Sequence, residues 1–180
     1  MGKNYQYDGS VADIYVANLG KYNEGVLQGG WISLPYESEE VFEEFLEEVV
    51  GINEEYEEYA IHDYESDFFH IDEYNNIEML NEQAEEIDGM DEWDRRKLLA
   101  AVEIYGNEAF EYDIDDFTLL ENVNDNYDLG YYYAHEMCDI FYGNKNETLE
   151  RYFDYEAFGR DIELEAQGGF TSFGFLELLG

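Results

Sequence analysis

The alternation of apolar and polar positions predicts an N-terminal ββαβ unit. Ile14–Leu19 is rich in β-branched and aromatic residues, and Trp31–Leu34 follows a turn-rich stretch as its partner strand. Ser38–Val50 carries its apolar residues at helical spacing with glutamates on most of the other side, and Gly51 is placed to end this helix. Glu57–Tyr64 is predicted to be the third strand of the unit.

Helical spacing dominates the middle of the chain. Apolar residues keep this spacing from Tyr74 to Ile87, after Asp72, which is a candidate N-cap. A second helix is predicted to begin at Asp91 and to extend to Tyr105. The segment therefore has an all-helical pattern.

Short strands and helices alternate in the C-terminal third. Phe117–Leu120 is a candidate strand, and an amphipathic helix follows it. Thr148–Phe158 is predicted to be partly helical, whereas Asp161–Leu164 and Gly169–Leu178 are predicted strands. The whole pattern indicates the α+β class, preceded by a polar and loosely ordered segment, residues 1–12.

Charge changes this picture more than any other property. The formal net charge is -38 in 180 residues, and the stretch between Lys21 and Arg95 holds twenty-five Asp and Glu but no Lys or Arg. A surface of one sign costs self-repulsion, so the pattern indicates that the field serves to bind a basic surface, such as one built to hold nucleic acid. On the scale of duplex DNA, 38 charges correspond to roughly 65 Å of helix axis, or about 19 base pairs.

Aromatic content shows that this acidic chain folds. Tyr, Phe and Trp make up 18% of the residues, whereas disordered acidic tails are poor in aromatic side chains. The basic cluster Arg95-Arg96-Lys97 is surrounded by acids and is predicted to be an internal counter-charge. The single cysteine, Cys138, excludes an intrachain disulfide. With no apolar run of membrane-spanning length and no signal pattern, we expect a cytoplasmic protein without membrane contact.

Patterns typical of catalysis are not found in the sequence. Pairs of acids have no diagnostic value among 46 carboxylates, and no phosphate-cradling glycine loop, Ser/His/Asp set or Cys/His pair is visible. Asp67 and His70, like Glu58 and His62, have ligand-like spacing for a helix, but His62 lies in a predicted strand, and no Glu-x-x-His or His-Glu-x-x-His motif exists. The three histidines, His62, His70 and His135, are therefore predicted to be structural or surface residues. We therefore expect no enzyme activity, no cofactor and no metal site.

An EF-hand-like spacing in the C-terminal third does not predict a calcium site. Asp125, Gly130 and Glu136 occupy positions 1, 6 and 12 of such a loop, but Tyr127 and Leu129 stand where oxygen ligands are required. An amphipathic helix that begins at Asp125 or the next residue explains the same segment.

Three ordered blocks of the sequence resemble the ArdA antirestriction proteins. The first is residues 14–25 (IYVANLGKYNEG) followed by Gly30-Trp31, the second is residues 55–65 (EYEEYAIHDYE), and the third is residues 152–161 (YFDYEAFGRD). The resemblance extends from residue 13 to about 178, although residues 75–120 match mainly in helical character and acidity.

The resemblance implies an elongated, acidic, three-part homodimer that binds no DNA itself. Such proteins mimic bent duplex DNA and occupy the DNA groove of type I restriction-modification enzymes, in both the methyltransferase core and the full endonuclease. They are carried by mobile genetic elements, such as a conjugative transposon, and protect incoming DNA. Applied to this chain, the parts are a flexible extension, residues 1–12, an N-terminal α+β subdomain, 13–70, a helical middle subdomain, 71–112, and a C-terminal α+β subdomain with the dimer interface, 113–180.

Together, the charge and the resemblance nominate a set of phosphate-mimicking, partner-binding carboxylates. These are Glu39, Glu40, Glu43, Glu44, Glu47, Glu48, Glu54, Glu55, Glu57, Glu58, Asp63, Glu65, Asp72, Glu73, Glu82, Glu85, Glu86, Asp113, Asp115 and Asp116. Two other interpretations stay open, namely an acidic enzyme of the halophilic type and an acidic chaperone of a basic protein.

Overall fold

The computed structural model describes residues 3–138, 140–141 and 150–179, which divide into two compact units. The first unit is Met1–Asp91 and the second is Glu92–Gly180. Helices and small antiparallel sheets make up both units, so the predicted α+β class is confirmed. The predicted division into three subdomains stays a prediction.

The first unit is built on a three-stranded antiparallel sheet with the order β2-β1-β3. The central strand β1 is Ala12–Asn18, and the edge strands are β2, Gly29–Leu34, and β3, Tyr59–Ser66. A short helix α1, Leu19–Asn23, connects β1 to β2. The element order is the predicted one, with α1 added.

Helix α2 covers the sheet with an apolar stripe. It spans Glu39–Phe45 and continues as one π-helical turn, Leu46–Val50. The Ser38 hydroxyl accepts a hydrogen bond from the Val41 amide at 3.4 Å and caps its start. Gly51 ends the turn with φ 78°, a left-handed conformation that glycine adopts at no steric cost. Both ends are where the sequence predicts them.

The N-terminal segment is packed, which the prediction of a loose extension did not foresee. The Tyr5 carbonyl accepts a hydrogen bond from the Ser33 amide at 3.0 Å, and the Tyr7 amide donates to Ser33 Oγ at 3.0 Å. The Tyr5 ring lies edge-on against Phe45, with 5.1 Å between ring centroids. A polar composition hid this role because backbone hydrogen bonds and one aromatic ring anchor the segment on edge strand β2.

Helix α3 spans Ile77–Gly89, and its N-cap is Asn76. The predicted cap, Asp72, is wrong, because the residues after it form a separate turn in which the Asn75 amide donates to the Asp72 carbonyl at 3.1 Å. Asn76 Oδ1 instead accepts from the Met79 amide at 3.1 Å. Four residues of the predicted apolar face, Ile77, Leu80, Ala84 and Ile87, are buried as expected. The fifth, Tyr74, lies before the helix and is 76% exposed, so its predicted place on this face is wrong.

The second unit combines a small sheet with helix α4, Glu92–Tyr105. Its strands are β4, Phe117–Leu120, β5, Gly168–Thr171, and β6, Gly174–Leu178, in the antiparallel order β4-β6-β5. The C-terminal segment predicted as one strand is therefore a hairpin. Its chain reversal depends on Gly174, whose φ of 132° disfavours any residue with a side chain.

Two helices of the second unit cross at glycines. Helix α5 spans Asn126–Tyr132 and continues as a π-helical turn to Met137, and helix α6 spans Tyr155–Glu165. A Cβ on Gly130 would lie 1.9 Å from the Tyr155 carbonyl oxygen, and one on Gly159 would lie 1.8 Å from the carbonyl oxygen of Asn126. The backbones can touch only because neither position has a side chain.

The predicted strand Asp161–Leu164 is wrong, because these residues form the last turns of α6. Asp154 caps this helix by accepting from the Ala157 amide at 3.0 Å, and Ile162 packs against the apolar core of the unit. Helical spacing rather than alternation therefore governs the segment. In the partly helical prediction before it, residues 148–149 lie outside the described part of the chain.

Candidate partner-binding surface

The predicted partner-binding carboxylates lie at the surface. Of the twenty, nineteen are exposed, and only Glu44 is half-buried. Seventeen belong to the first unit, and Asp113, Asp115 and Asp116 belong to the second. Within the described residues, Glu44 is also the only one of the twenty that pairs with Lys or Arg, through Lys3.

Helix α2 and its π-turn carry six of the nominated acids on one element. Six of their twelve residues are glutamates, all between positions 39 and 48. Ten helical residues extend roughly 15 Å, so the run presents about one charge per 2.5 Å of axis. Duplex DNA presents one per roughly 1.7 Å. The two densities are of the same order, and the apolar stripe on the buried side holds the glutamates outward.

The remaining acids of the first unit lie on two loops, a strand and a helix, and the loop before α3 exposes Asp72 and Glu73. The loop before β3 exposes Glu54, Glu55, Glu57 and Glu58. On β3, Asp63 and Glu65 point to the same exposed side, because alternate residues of a strand share a face about 6.8 Å apart. Helix α3 exposes Glu82, Glu85 and Glu86 opposite its buried stripe.

Local hydrogen bonds engage the acids of the second unit. The Asp113 carboxylate accepts from the Asp115 amide at 3.0 Å, and Asp116 Oδ2 accepts from the Asp113 amide at 3.3 Å. This capping box begins a short 3-10 helix, Ile114–Asp116. These carboxylates have a structural role and still present negative charge to solvent.

Two side chains of the basic cluster, Arg96 and Lys97, are paired inside the second unit. Arg96 bonds to Glu92 at 3.1 Å and to Glu121 at 2.5 Å. Lys97 is buried, where its ammonium pairs with Asp94 at 3.0 Å and donates to the Ile114 carbonyl at 3.2 Å. For these two residues, the predicted role of internal counter-charge is confirmed.

The negative field acts on neighbouring tyrosines. Burial, followed by the charge of Glu78, raises the pKa of Tyr36 and of Tyr59. The charge of Glu73 is the main cause that raises the pKa of exposed Tyr74. Glu78 was absent from the nominated set, although its place in the first turn of α3 is typical of an exposed acid. A helix that begins after Asn76 has Glu78 in its first turn, and this position predicts an exposed acid.

The described residues contain no group of three or more His, Cys, Asp or Glu that could hold a metal ion. In the rejected EF-hand segment, Asp125 caps α5 and Leu129 is fully buried, so the helix explains the pattern. Within the same described part of the chain, no helix is long and apolar enough to cross a membrane.

The fold and the surface define an acidic α+β protein that holds its carboxylates in solvent on ordered elements. Comparison with known families identifies it further. The family model described as "Antirestriction protein (ArdA)" matches residues 14–177, nearly the whole chain. The chain therefore belongs to the ArdA family of antirestriction proteins, and the resemblance drawn from its three sequence blocks is confirmed. No match was found among curated proteins.

Proposed function

We propose that this antirestriction protein is a non-enzymatic mimic of duplex DNA. It occupies the DNA-binding groove of type I restriction-modification enzymes and inhibits both the methyltransferase core and the full endonuclease. In this proposal the acting form is a cytoplasmic homodimer, joined through the C-terminal part, which protects the incoming DNA of a mobile genetic element.

The exposure of nineteen nominated carboxylates, none of them paired with Lys or Arg within the described residues, is the observation that carries the proposal. A groove built for DNA neutralises phosphates with Lys and Arg and gains affinity from each contact. Carboxylates held in solvent offer the same groove the same charge, and family membership supplies the biological context.

The test is a cleavage and methylation assay of a type I enzyme with and without the purified protein. We expect both activities to fall with the amount of protein added, and added duplex DNA to compete with the inhibitor. A gel shift with duplex at low salt should show no binding by the protein itself, because the two repel. Uninhibited enzyme, or submicromolar binding of duplex, contradicts the proposal.

A further inference from the structure

An open cleft of about 430 Å³ lies beside strand β3 in the first unit. Ile61 and Ile71, both buried, form its apolar floor. The ring of Tyr22 from α1 forms a wall, and three exposed carboxylates stand on the rim. These are Asp63, Asp72 and Glu73.

A β-bulge turns His62 into this cleft. On β1, Tyr15 pairs with Asp63 and Val16 pairs with Ile61, so that His62 is the extra residue of β3 without a β1 partner. Bulges re-aim a side chain in this way, and they recur beside functional sites. The segment with Asp72 and Glu73 lies alongside β3, because the Ile61 amide donates to the Glu73 carbonyl at 3.0 Å.

The wall of the cleft is ordered. The His62 ring meets the Tyr22 ring edge-on, with 4.7 Å between centroids, and only 17% of the His62 side chain is exposed. His62 Nε2 lies 3.9 Å from the Glu73 carboxylate. The cleft therefore combines an aromatic surface and an apolar floor with carboxylate oxygens at its mouth.

No Lys or Arg of the described residues pairs with the three rim carboxylates. Lys21, which neighbours Tyr22 in the chain, is directed elsewhere, since it donates to Gln28 and lies 5.3 Å from the centre of the Tyr56 ring. The rim carboxylates can therefore bind a cationic group of a partner.

We propose that this cleft receives one arginine side chain of the restriction enzyme, an inference that rests on the proposed function. The alkyl stem of arginine fits the floor of Ile61 and Ile71, and the planar guanidinium stacks on an aromatic ring and donates to two carboxylates at once. Lysine offers a point charge without the planar donor set. The cleft then acts as an anchor within an otherwise distributed field.

An uncharged substitution separates the anchor from the field. Tyr22→Leu leaves the net charge unchanged, so a purely electrostatic mimic would not respond, whereas loss of the anchor should weaken inhibition by about tenfold. Tyr22→Phe keeps the ring and should inhibit like the wild type. Tyr22 is 53% exposed, so the fold should survive, which a thermal melt checks.

A charge-matched pair of double variants tests the rim. Asp63→Asn with Asp72→Asn should weaken inhibition more than Glu54→Gln with Glu57→Gln, which removes the same charge outside the cleft. Equal losses from the two pairs, or wild-type inhibition by a folded Tyr22→Leu variant, overturn the inference. If the wild type itself does not inhibit, the proposed function is refuted instead. Whether the cleft binds a guanidinium is then tested by direct titration.

That titration uses the full chain and N-acetylarginine amide at millimolar concentration. The ring signals of His62 and Tyr22 should shift in the NMR spectrum, and the neutral isostere N-acetylcitrulline amide should leave them unchanged. The Asp63→Asn, Asp72→Asn variant should lose the response. Equal shifts with both compounds, or none with arginine, contradict a guanidinium site.

Discussion

Tyr133, in the π-turn that follows α5, is the most strongly perturbed acid–base group among the described residues. Its hydroxyl donates to Glu177 Oε2 at 2.8 Å, which joins the helix to strand β6. Burial and then this hydrogen bond raise the pKa of Tyr133 well above its ordinary value. The folded state therefore holds this proton more firmly than the unfolded chain.

A Tyr133→Phe variant should change the alkaline limit of stability. A raised pKa in the folded state gives stability that is complete below the unfolded value of about 10 and is lost as the pH rises from there. The variant should lose about 1–3 kcal/mol near neutral pH, because the carboxylate loses its donor. Above about pH 10, its unfolding free energy in urea should fall less steeply than that of the wild type. If the unfolding free energies of the variant and the wild type fall equally steeply with pH, the raised pKa of Tyr133 is contradicted.

Asn18 marks a limit of prediction at the residue scale. The sequence places it in the first strand, but its side chain is fully buried and donates to the carbonyls of Val50 and Gly51 at 3.3 and 3.2 Å. Its partners lie more than thirty positions away in the chain, so no local pattern could predict the contact. His62 is similar, because the bulge that directs it breaks the alternation from which strand faces are predicted.

At the scale of elements, the crossing of α5 and α6 depends on two glycines. Gly130→Ala or Gly159→Ala places a methyl group within 2 Å of a backbone oxygen of the facing helix. Because backbone cannot move aside as a side chain does, each change should cost about 2–4 kcal/mol of unfolding free energy. Thermal and urea unfolding measure this loss.

Gly89→Ala, at the end of α3, is the matched control. A Cβ there meets no atom within 4 Å and the backbone φ is not positive, so the change should gain about 0.5–1 kcal/mol. If all three substitutions behave alike, the close approach at the crossing does not limit stability.

The charged run on α2 gives a second prediction at this scale. Each glutamate replaces one phosphate contact among many, so Glu47→Gln alone should leave inhibition nearly intact. Neutralising Glu40, Glu43, Glu47 and Glu48 together should weaken it and flatten its salt dependence by up to roughly one unit of log–log slope per charge. A single isosteric amide that abolishes activity in a folded variant would instead indicate a catalytic carboxylate.

Sequence patterns predicted long elements better than short ones. The sheet of the first unit, α2 and the body of α3 all follow from periodicity, because each buries a full apolar stripe. The final hairpin was predicted as one strand, since its turn at Ser172 and Phe173 has no strong turn residues before Gly174. Exposure of the acids on α2 and α3 follows from the same periodicity, whereas the cleft requires contacts between distant segments.

At the scale of the whole molecule, charge should make stability and inhibition respond to salt in opposite directions. A net charge of -38 repels itself in the compact state, and added salt screens that repulsion and should raise the melting temperature. The same screening weakens attraction to a basic groove, so inhibition should decline as salt rises. Melting and inhibition curves across one salt series measure both.

The alternatives give different results in that series. An acidic enzyme of the halophilic type should lose its fold at low salt, whereas this protein should stay folded there and inhibit best. An acidic chaperone of a basic protein should not compete with duplex DNA for the restriction enzyme. Loss of structure at low salt would favour the first alternative.

The separation of the acidic surface from the core has an evolutionary consequence. Nineteen nominated carboxylates lie outside the core. Apart from the capping pair Asp113 and Asp116, exchange of Glu for Asp at these positions, or movement of a charge to a neighbouring position, leaves folding largely unaffected. The surface is therefore free to drift in sequence between lineages while its charge persists. If the proposed function holds, a restriction enzyme has little room to escape, because a mutation in its groove that rejects these carboxylates also loosens its hold on the phosphates of its own substrate.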